Sequence, residues 1–292
     1  MFSGSAVALV SPMEIDGSLN FENLARLIEF HIHSGTESIV IAGTTGESAT
    51  LAYDEHIQLV ERACEISNGR VPIIAGSGSN STRQTIELSR AINDLPISGF
   101  LIVTPYYNKP TQFGMVKHYL EIADQLTKPI ILYNVPGRTG VDLKVESVIE
   151  LSSHKNIVAV KEATGEVDRV KLLRQGCGED FKILSGDDIT CCEFMLLGGD
   201  GCISVTANVA PKHMRSLCDV ARSGNREQAE KVDKEIASLH KNLFLESNPI
   251  PVKWALDKLG YIGPGIRLPL TTLNGLHHEA ISRSLKDASI LS

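Results

Sequence analysis

A lysine that ends an apolar run is the position in this chain where covalent chemistry is most readily imagined. Lys161 closes the segment Ile157-Val158-Ala159-Val160. An amine emerging from apolar surroundings is disfavoured as an ammonium and favoured in the neutral form that attacks a carbonyl carbon. The competing role is scaffolding, with the ammonium paired to Glu162, Asp187 or Asp188. Schiff-base chemistry also needs hydroxyls to shuttle protons and donors to hold a carboxylate. Tyr133 and Thr44 supply hydroxyls, and Thr44-Thr45-Gly46 adds backbone N–H groups where an anion could sit. Arg138 supplies a fork for a second carboxylate. Each of these has an ordinary alternative: a tyrosine of the core or rim, a plain turn, a solvated arginine.

The elements that must position these residues are short apolar runs alternating with amphipathic segments. The runs at 5–11, 38–43, 71–76, 99–104, 129–134, 157–161, 182–185 and 201–205 are predicted strands. Several, such as Ile39-Val40-Ile41-Ala42 and Ile130-Ile131-Leu132, are continuous rather than alternating. That is the habit of parallel strands buried on both faces. Between them, Phe21, Leu24, Leu27, Ile28 and Ile32 form one helical stripe over residues 21–34, with Gly35 as its stop. Ser81-Thr82-Arg83-Gln84 fits a capping box opening the helix that carries Ile86 and Leu88.

Eight such strands predict an α/β fold, a (β/α)8 TIM barrel. A doubly wound sheet would carry a glycine fingerprint after its first strand, but Val10-Ser11-Pro12 follows here and no G-x-G-x-x-G occurs. In a barrel, chemistry gathers at the C-terminal ends of the strands. Those ends read Gly43-Thr44-Thr45-Gly46-Glu47, Thr104-Pro105-Tyr106-Tyr107, Tyr133 to Thr139, Lys161-Glu162, Ser185-Gly186-Asp187-Asp188 and Ile203-Ser204-Val205. Beyond about residue 225 the alternation stops. The expected division is a barrel over 1–225 and a C-terminal helical region over 226–292, with helices at 226–244, 250–259 and 274–288.

Composition narrows the classes of function. The chain has 292 residues, 42% hydrophobic and 22% charged, with a net charge of −7. That content excludes intrinsic disorder, and the acidic balance argues against a nucleic-acid partner. No apolar run approaches the ~18 residues of a membrane span. The first ten residues lack the basic flank of a signal peptide, so a cytoplasmic location is expected. The six cysteines form no C-x-x-C pair and read as reduced core thiols. Adjacent Cys191 and Cys192 would face different sides of a helix, and neither His31-x-His33 nor His277-His278 has zinc-site spacing. No metal is expected.

Several separated motifs, in order along nearly the whole chain, carry a resemblance. They are Gly43-Thr44-Thr45-Gly46-Glu47, Tyr133-Asn134-Val135-Pro136-Gly137-Arg138-Thr139, Val160-Lys161-Glu162-Ala163-Thr164-Gly165, Leu184-Ser185-Gly186-Asp187-Asp188 and Asn248-Pro249-Ile250-Pro251-Val252-Lys253. With them the chain resembles the dihydrodipicolinate synthase and N-acetylneuraminate lyase family of pyruvate-dependent class I aldolases.

The resemblance implies a lyase that joins pyruvate to L-aspartate 4-semialdehyde, giving 4-hydroxy-tetrahydrodipicolinate for diaminopimelate and lysine biosynthesis. It implies that Lys161 forms the pyruvate imine and that Tyr133 relays protons with Thr44 and with Tyr107 from a neighbouring subunit. Thr45 would bind the pyruvate carboxylate, Gly186 and Ile203 would line the pocket, and Arg138 would bind the semialdehyde carboxylate. Sialic-acid lyases that resemble this chain lack the Gly-Arg-Thr sequence at that point. No metal or organic cofactor is implied. A homotetramer, built as a dimer of dimers, is. A lysine effector site is implied at Ser48, Ala49, His56, Asn80 and Tyr106. Tyr53 and Gln84 stand where lysine-sensitive relatives often carry His and Glu, so weak or absent lysine inhibition is expected.

Overall fold

The computed structural model describes residues 2–291. Eight parallel strands, β1 (Gly4–Ala8), β2 (Ser38–Ile41), β3 (Ile73–Gly76), β4 (Gly99–Val103), β5 (Ile130–Asn134), β6 (Ile157–Glu162), β7 (Lys182–Ser185) and β8 (Gly201–Ser204), close into a barrel in chain order. Closure is made by β1 and β8, with Gly4 opposite Gly201 and Ala6 opposite Ile203. The expected (β/α)8 barrel is therefore present, with strand boundaries within three residues of those expected.

The continuous apolar runs are explained by two separate cores. In β2, Ile39 and Ile41 face the helical layer while Val40 faces the barrel interior. The interior cluster also holds Ala6, Ala8, Ile74, Leu101, Ile131, Tyr133, Ala159, Leu184 and Ile203. Because side chains alternate along a strand, Ala159 and Lys161 share the inner face of β6, whereas Val160 joins the outer core. The same parity turns Ile131 and Tyr133 inward on β5.

The helices are α1 (Phe21–His33), α2 (Tyr53–Ser67), α3 (Thr82–Ile92), α4 (Gln112–Asp124), the single turn α5 (Pro136–Thr139), α6 (Val145–Ser152), α7 (Arg169–Cys177), α8 (Cys191–Leu196), α9 (Pro211–Arg222), α10 (Arg226–Asn242), α11 (Ile250–Lys258) and α12 (His278–Asp287). The Asn20 side chain caps α1 by accepting from Asn23 N at 2.7 Å, and Gly35 leaves the helix at φ +77°. The capping box predicted for α3 is only half formed. Ser81 Oγ accepts from Gln84 N, but the Gln84 side chain accepts from Ser79 Oγ at 3.1 Å instead of reaching back to Ser81. The Ser81 N–H is satisfied by Ser79 Oγ, so a second serine takes over the expected partner's role.

The last three helices do not simply lie on the barrel. α10 packs on α8, α9 and α12. α11 sends Lys253 to the mouth, where its ammonium donates to Ser11 O at 3.1 Å and pairs with Glu47. Arg267, further on, donates its backbone N–H to Glu47 Oε2 and its guanidinium to Glu55, Thr50 O and Gly17 O. The C-terminal region is thus fastened to the turn that follows β2.

Candidate active site

Lys161 and Tyr133 are directly paired in the β5–β6 register, both turned into the barrel at its C-terminal end. Lys161 is 5% exposed, and its Nζ lies 4.3 Å from the centroid of the Tyr133 ring. That places the amine over the face of the phenol ring.

The scaffolding alternative for Lys161 fails because the three carboxylates are committed elsewhere. Glu162 points to the opposite face of β6, where it accepts from Asn134 Nδ2, Thr164 N and Arg169. Burial pushes its carboxyl up from the usual range, against the pull of Asn134 and Arg169. Asp188 Oδ2 accepts from Val205 N and Thr206 N at 3.0 and 2.7 Å. Asp187 takes the Thr190 hydroxyl and N–H. Behind the face that carries Lys161, Asn134 and Arg169 also bind Asp142, tying the segment after β5 to α7. This bracing holds the ends of β5 and β6 in place.

Gly186 has a role set by space. A Cβ there would lie 2.8 Å from Lys161 Cε and 2.8 Å from Ala163 Cβ. Any larger residue would displace the lysine stem, so glycine leaves the channel in which the amine stands. Ile203, 1% exposed, belongs to the interior cluster beneath.

The turn after β2 is strained at both ends, with Ala42 at φ +55° and Glu47 at φ +56°. Left-handed backbone at non-glycine residues costs about 1–2 kcal/mol each and is retained only where surrounding structure imposes it. Here Lys253 and Arg267 grip Glu47. The turn is closed by Gly46 N and Ser48 N donating to Gly43 O and by Glu47 N donating to Thr44 O. The Thr44 and Thr45 N–H groups take no part in that closure. Thr45 is buried, with its Oγ1 accepting from Asn248 Nδ2 at 2.9 Å, while Thr44 is half-buried.

Asn248 is the residue that sequence reasoning quoted but gave no role. Its amide holds Thr45, and its carbonyl oxygen accepts from Arg138 at 3.3 Å. One buried asparagine therefore spans the two groups proposed to bind carboxylates. Its position 110 residues beyond Arg138 left no spacing signal. Arg138 itself is exposed on α5.

Tyr107 stands apart. It is 88% exposed, with φ +72°. The remaining positions lie around the rim. Ser48 and Ala49 occupy the 3-10 turn after β2, the Asn80 carbonyl accepts from Asn108, and Tyr106 is 38% exposed. His56 is buried, with Nε2 against Gly76 O at 2.6 Å, and burial keeps its pKa below the ordinary value. Gln84 is engaged with Ser79, and the Tyr53 hydroxyl donates to Glu87 O.

Comparisons with known proteins agree on one family. Residues 1–288 match the model of the dihydrodipicolinate synthetase family. The chain is 52% identical over 290 residues to the 4-hydroxy-tetrahydrodipicolinate synthase of Thioalkalivibrio sulfidiphilus, covering 99% of each chain. It is 50% identical over 292 residues to that of Pseudomonas aeruginosa, covering 100% of each. Among solved structures it superposes with a TM-score of 0.98, at 51% identity and full coverage of both chains, on the chloride-inhibited dihydrodipicolinate synthase of Acinetobacter baumannii in complex with pyruvate.

Proposed function

The chain belongs to the dihydrodipicolinate synthetase family, and from that premise we propose how its barrel mouth works. The enzyme is a lyase of the class I aldolase type that condenses pyruvate with L-aspartate 4-semialdehyde to 4-hydroxy-tetrahydrodipicolinate, in lysine and diaminopimelate biosynthesis. The observation that carries the residue assignments is the inward pairing of Lys161 with Tyr133 beside the space kept open by Gly186.

In this reading the neutral Lys161 amine attacks the pyruvate ketone, and loss of water leaves an iminium. Loss of a methyl proton gives an enamine, whose carbon adds to the aldehyde. The amine of the second substrate then attacks the iminium carbon, closes the ring and releases Lys161. Tyr133 carries the protons, with Thr44 next in the relay. Tyr107, standing free in its own chain, reaches a neighbouring subunit's site, and such dimers pair into a tetramer. Thr45 and the N–H groups of its turn hold the pyruvate carboxylate. Ile203 and Gly186 line the pocket, and Arg138 takes the semialdehyde carboxylate in a bidentate contact.

A cytoplasmic location fits the cysteines, five of six buried and all free, and no helix among the described residues is long and apolar enough to cross a membrane. At the rim, Ser48, Ala49, His56, Asn80 and Tyr106 are the effector positions. With an amide at Gln84 in place of a carboxylate, a cationic effector gains little there. We expect no more than weak inhibition by millimolar lysine in a steady-state assay; half-inhibition below that range would overturn this reading.

Borohydride reduction in the presence of pyruvate tests the central assignment. One pyruvate-derived adduct per chain is expected on the peptide containing Lys161, with none in Lys161→Ala. Labelling of any other lysine, or none at all, would remove the imine from Lys161.

A further inference from the structure

A second cluster of reactive side chains lies outside the barrel, between α8 and α10. Cys191 Sγ, a carboxylate oxygen of Asp233 and a ring nitrogen of His240 all fall within 4.8 Å of one another. Cys191 opens α8, while Asp233 and His240 are seven residues apart on α10 and so share one face. Cys191 is fully buried, His240 is 2% exposed, and the Asp233 side chain is 26% exposed, leaving one open approach.

Two buried atoms in the cluster have no hydrogen-bond partner, His240 Nε2 and Asp233 Oδ1. They stand 3.5 Å apart. An unpartnered buried polar atom is costly, and two aimed at the same space point to a group that would satisfy both. The other ring nitrogen, His240 Nδ1, is already engaged with Thr206 Oγ1 at 2.9 Å. That outer contact fixes the ring and directs Nε2 inward, as a hydrogen bond to the far nitrogen of a metal-bound histidine does.

We propose that Cys191, Asp233 and His240 form a zinc-binding site in the helical layer. One sulfur, one nitrogen and one oxygen donor suit this borderline-soft cation, and the open side at Asp233 leaves the fourth position to water. Tetrahedral zinc with ordinary bond lengths would hold its ligand atoms about 3.3–3.6 Å apart. The histidine–carboxylate separation of 3.5 Å already matches, and Cys191 Sγ lies within 4.8 Å of both residues' donor atoms. Binding replaces the S–H bond of Cys191 by a zinc–sulfur bond and releases one proton to solvent. Cys192, the adjacent cysteine, lies outside the cluster and supplies a control.

The experiment uses the full-length enzyme, stripped with a chelator and titrated with zinc, then with cobalt as a spectroscopic substitute. One zinc per chain should survive gel filtration, with release of a proton and a rise in thermal midpoint. The cobalt form should show a thiolate-to-metal charge-transfer band in the near ultraviolet. Cys191→Ser should abolish the band, Cys192→Ser should keep it, and Asp233→Asn, at a partly exposed position tolerant of change, should weaken zinc binding at least about tenfold. Absence of stoichiometric zinc binding, a band that survives Cys191→Ser, or unchanged affinity in Asp233→Asn would each overturn the site and leave a simple imidazole–carboxylate pair. None of these readouts depends on the barrel chemistry.

Discussion

Arg138 has a single weak tether, its 3.3 Å bond to the Asn248 carbonyl, and otherwise offers its guanidinium to solvent. A fork so placed is free to meet an incoming carboxylate, and its removal should affect only the step that uses one. Arg138→Ala is expected to form the pyruvate imine normally yet lose about 2 kcal/mol, roughly thirtyfold, in kcat/KM for the semialdehyde. Borohydride trapping and steady-state assays separate the two steps, and equal loss in both would refute the assignment. At this scale the sequence was informative where chemistry and position coincided. Lys161 is conspicuous because a charged residue ends an apolar strand. Gly186 is not, because what demands glycine is the approach of Lys161 and Ala163 from other parts of the chain.

The elements were legible from periodicity, and their ends less so. β1 stops at Ala8 rather than at residue 11, since the backbone there leaves the ladder and Val10 N donates to the Asn208 side chain instead. The contribution of the C-terminal segment was hidden for a different reason. Its amphipathic helices read as packing, whereas Asn248, Lys253 and Arg267 return to the turn after β2 across more than 200 residues. Asn248→Ala should therefore raise the KM for pyruvate by releasing Thr45, at a cost to stability of about 1–3 kcal/mol for the buried partner left unpaired. A pyruvate KM equal to that of the parent enzyme would show that Thr45 needs no such support.

For the molecule as a whole, buried histidines contribute to the response to acid. Burial lowers His31 to about 3 and His118 to about 4, from an ordinary 6.5. Because the folded pKa lies below the unfolded one, the unfolded chain takes up protons first as pH falls. Stability is then complete above about pH 6.5 and declines toward pH 3–4, by up to roughly 1.4 kcal/mol per pH unit for each histidine. Urea midpoints measured from pH 7 to 4.5 should fall along this course, and His118→Gln should flatten it; parallel curves would exclude His118 as a source. The net charge of −7 acts against carboxylate substrates at long range. Recognition must come from donors held locally at the barrel mouth.

By itself the sequence determined the barrel, the placing of Lys161 and Tyr133 at strand ends, and the family, because strand alternation, buried parallel runs and ordered motifs are properties of neighbouring residues. Only the tertiary structure decided that Asn248 couples Thr45 to Arg138, that Gly186 clears space for Lys161, and that Cys191 meets Asp233 and His240. Those contacts join residues that no local period relates. They exist because closing the barrel brings its strand ends, and the helices that follow, within a few ångströms of each other.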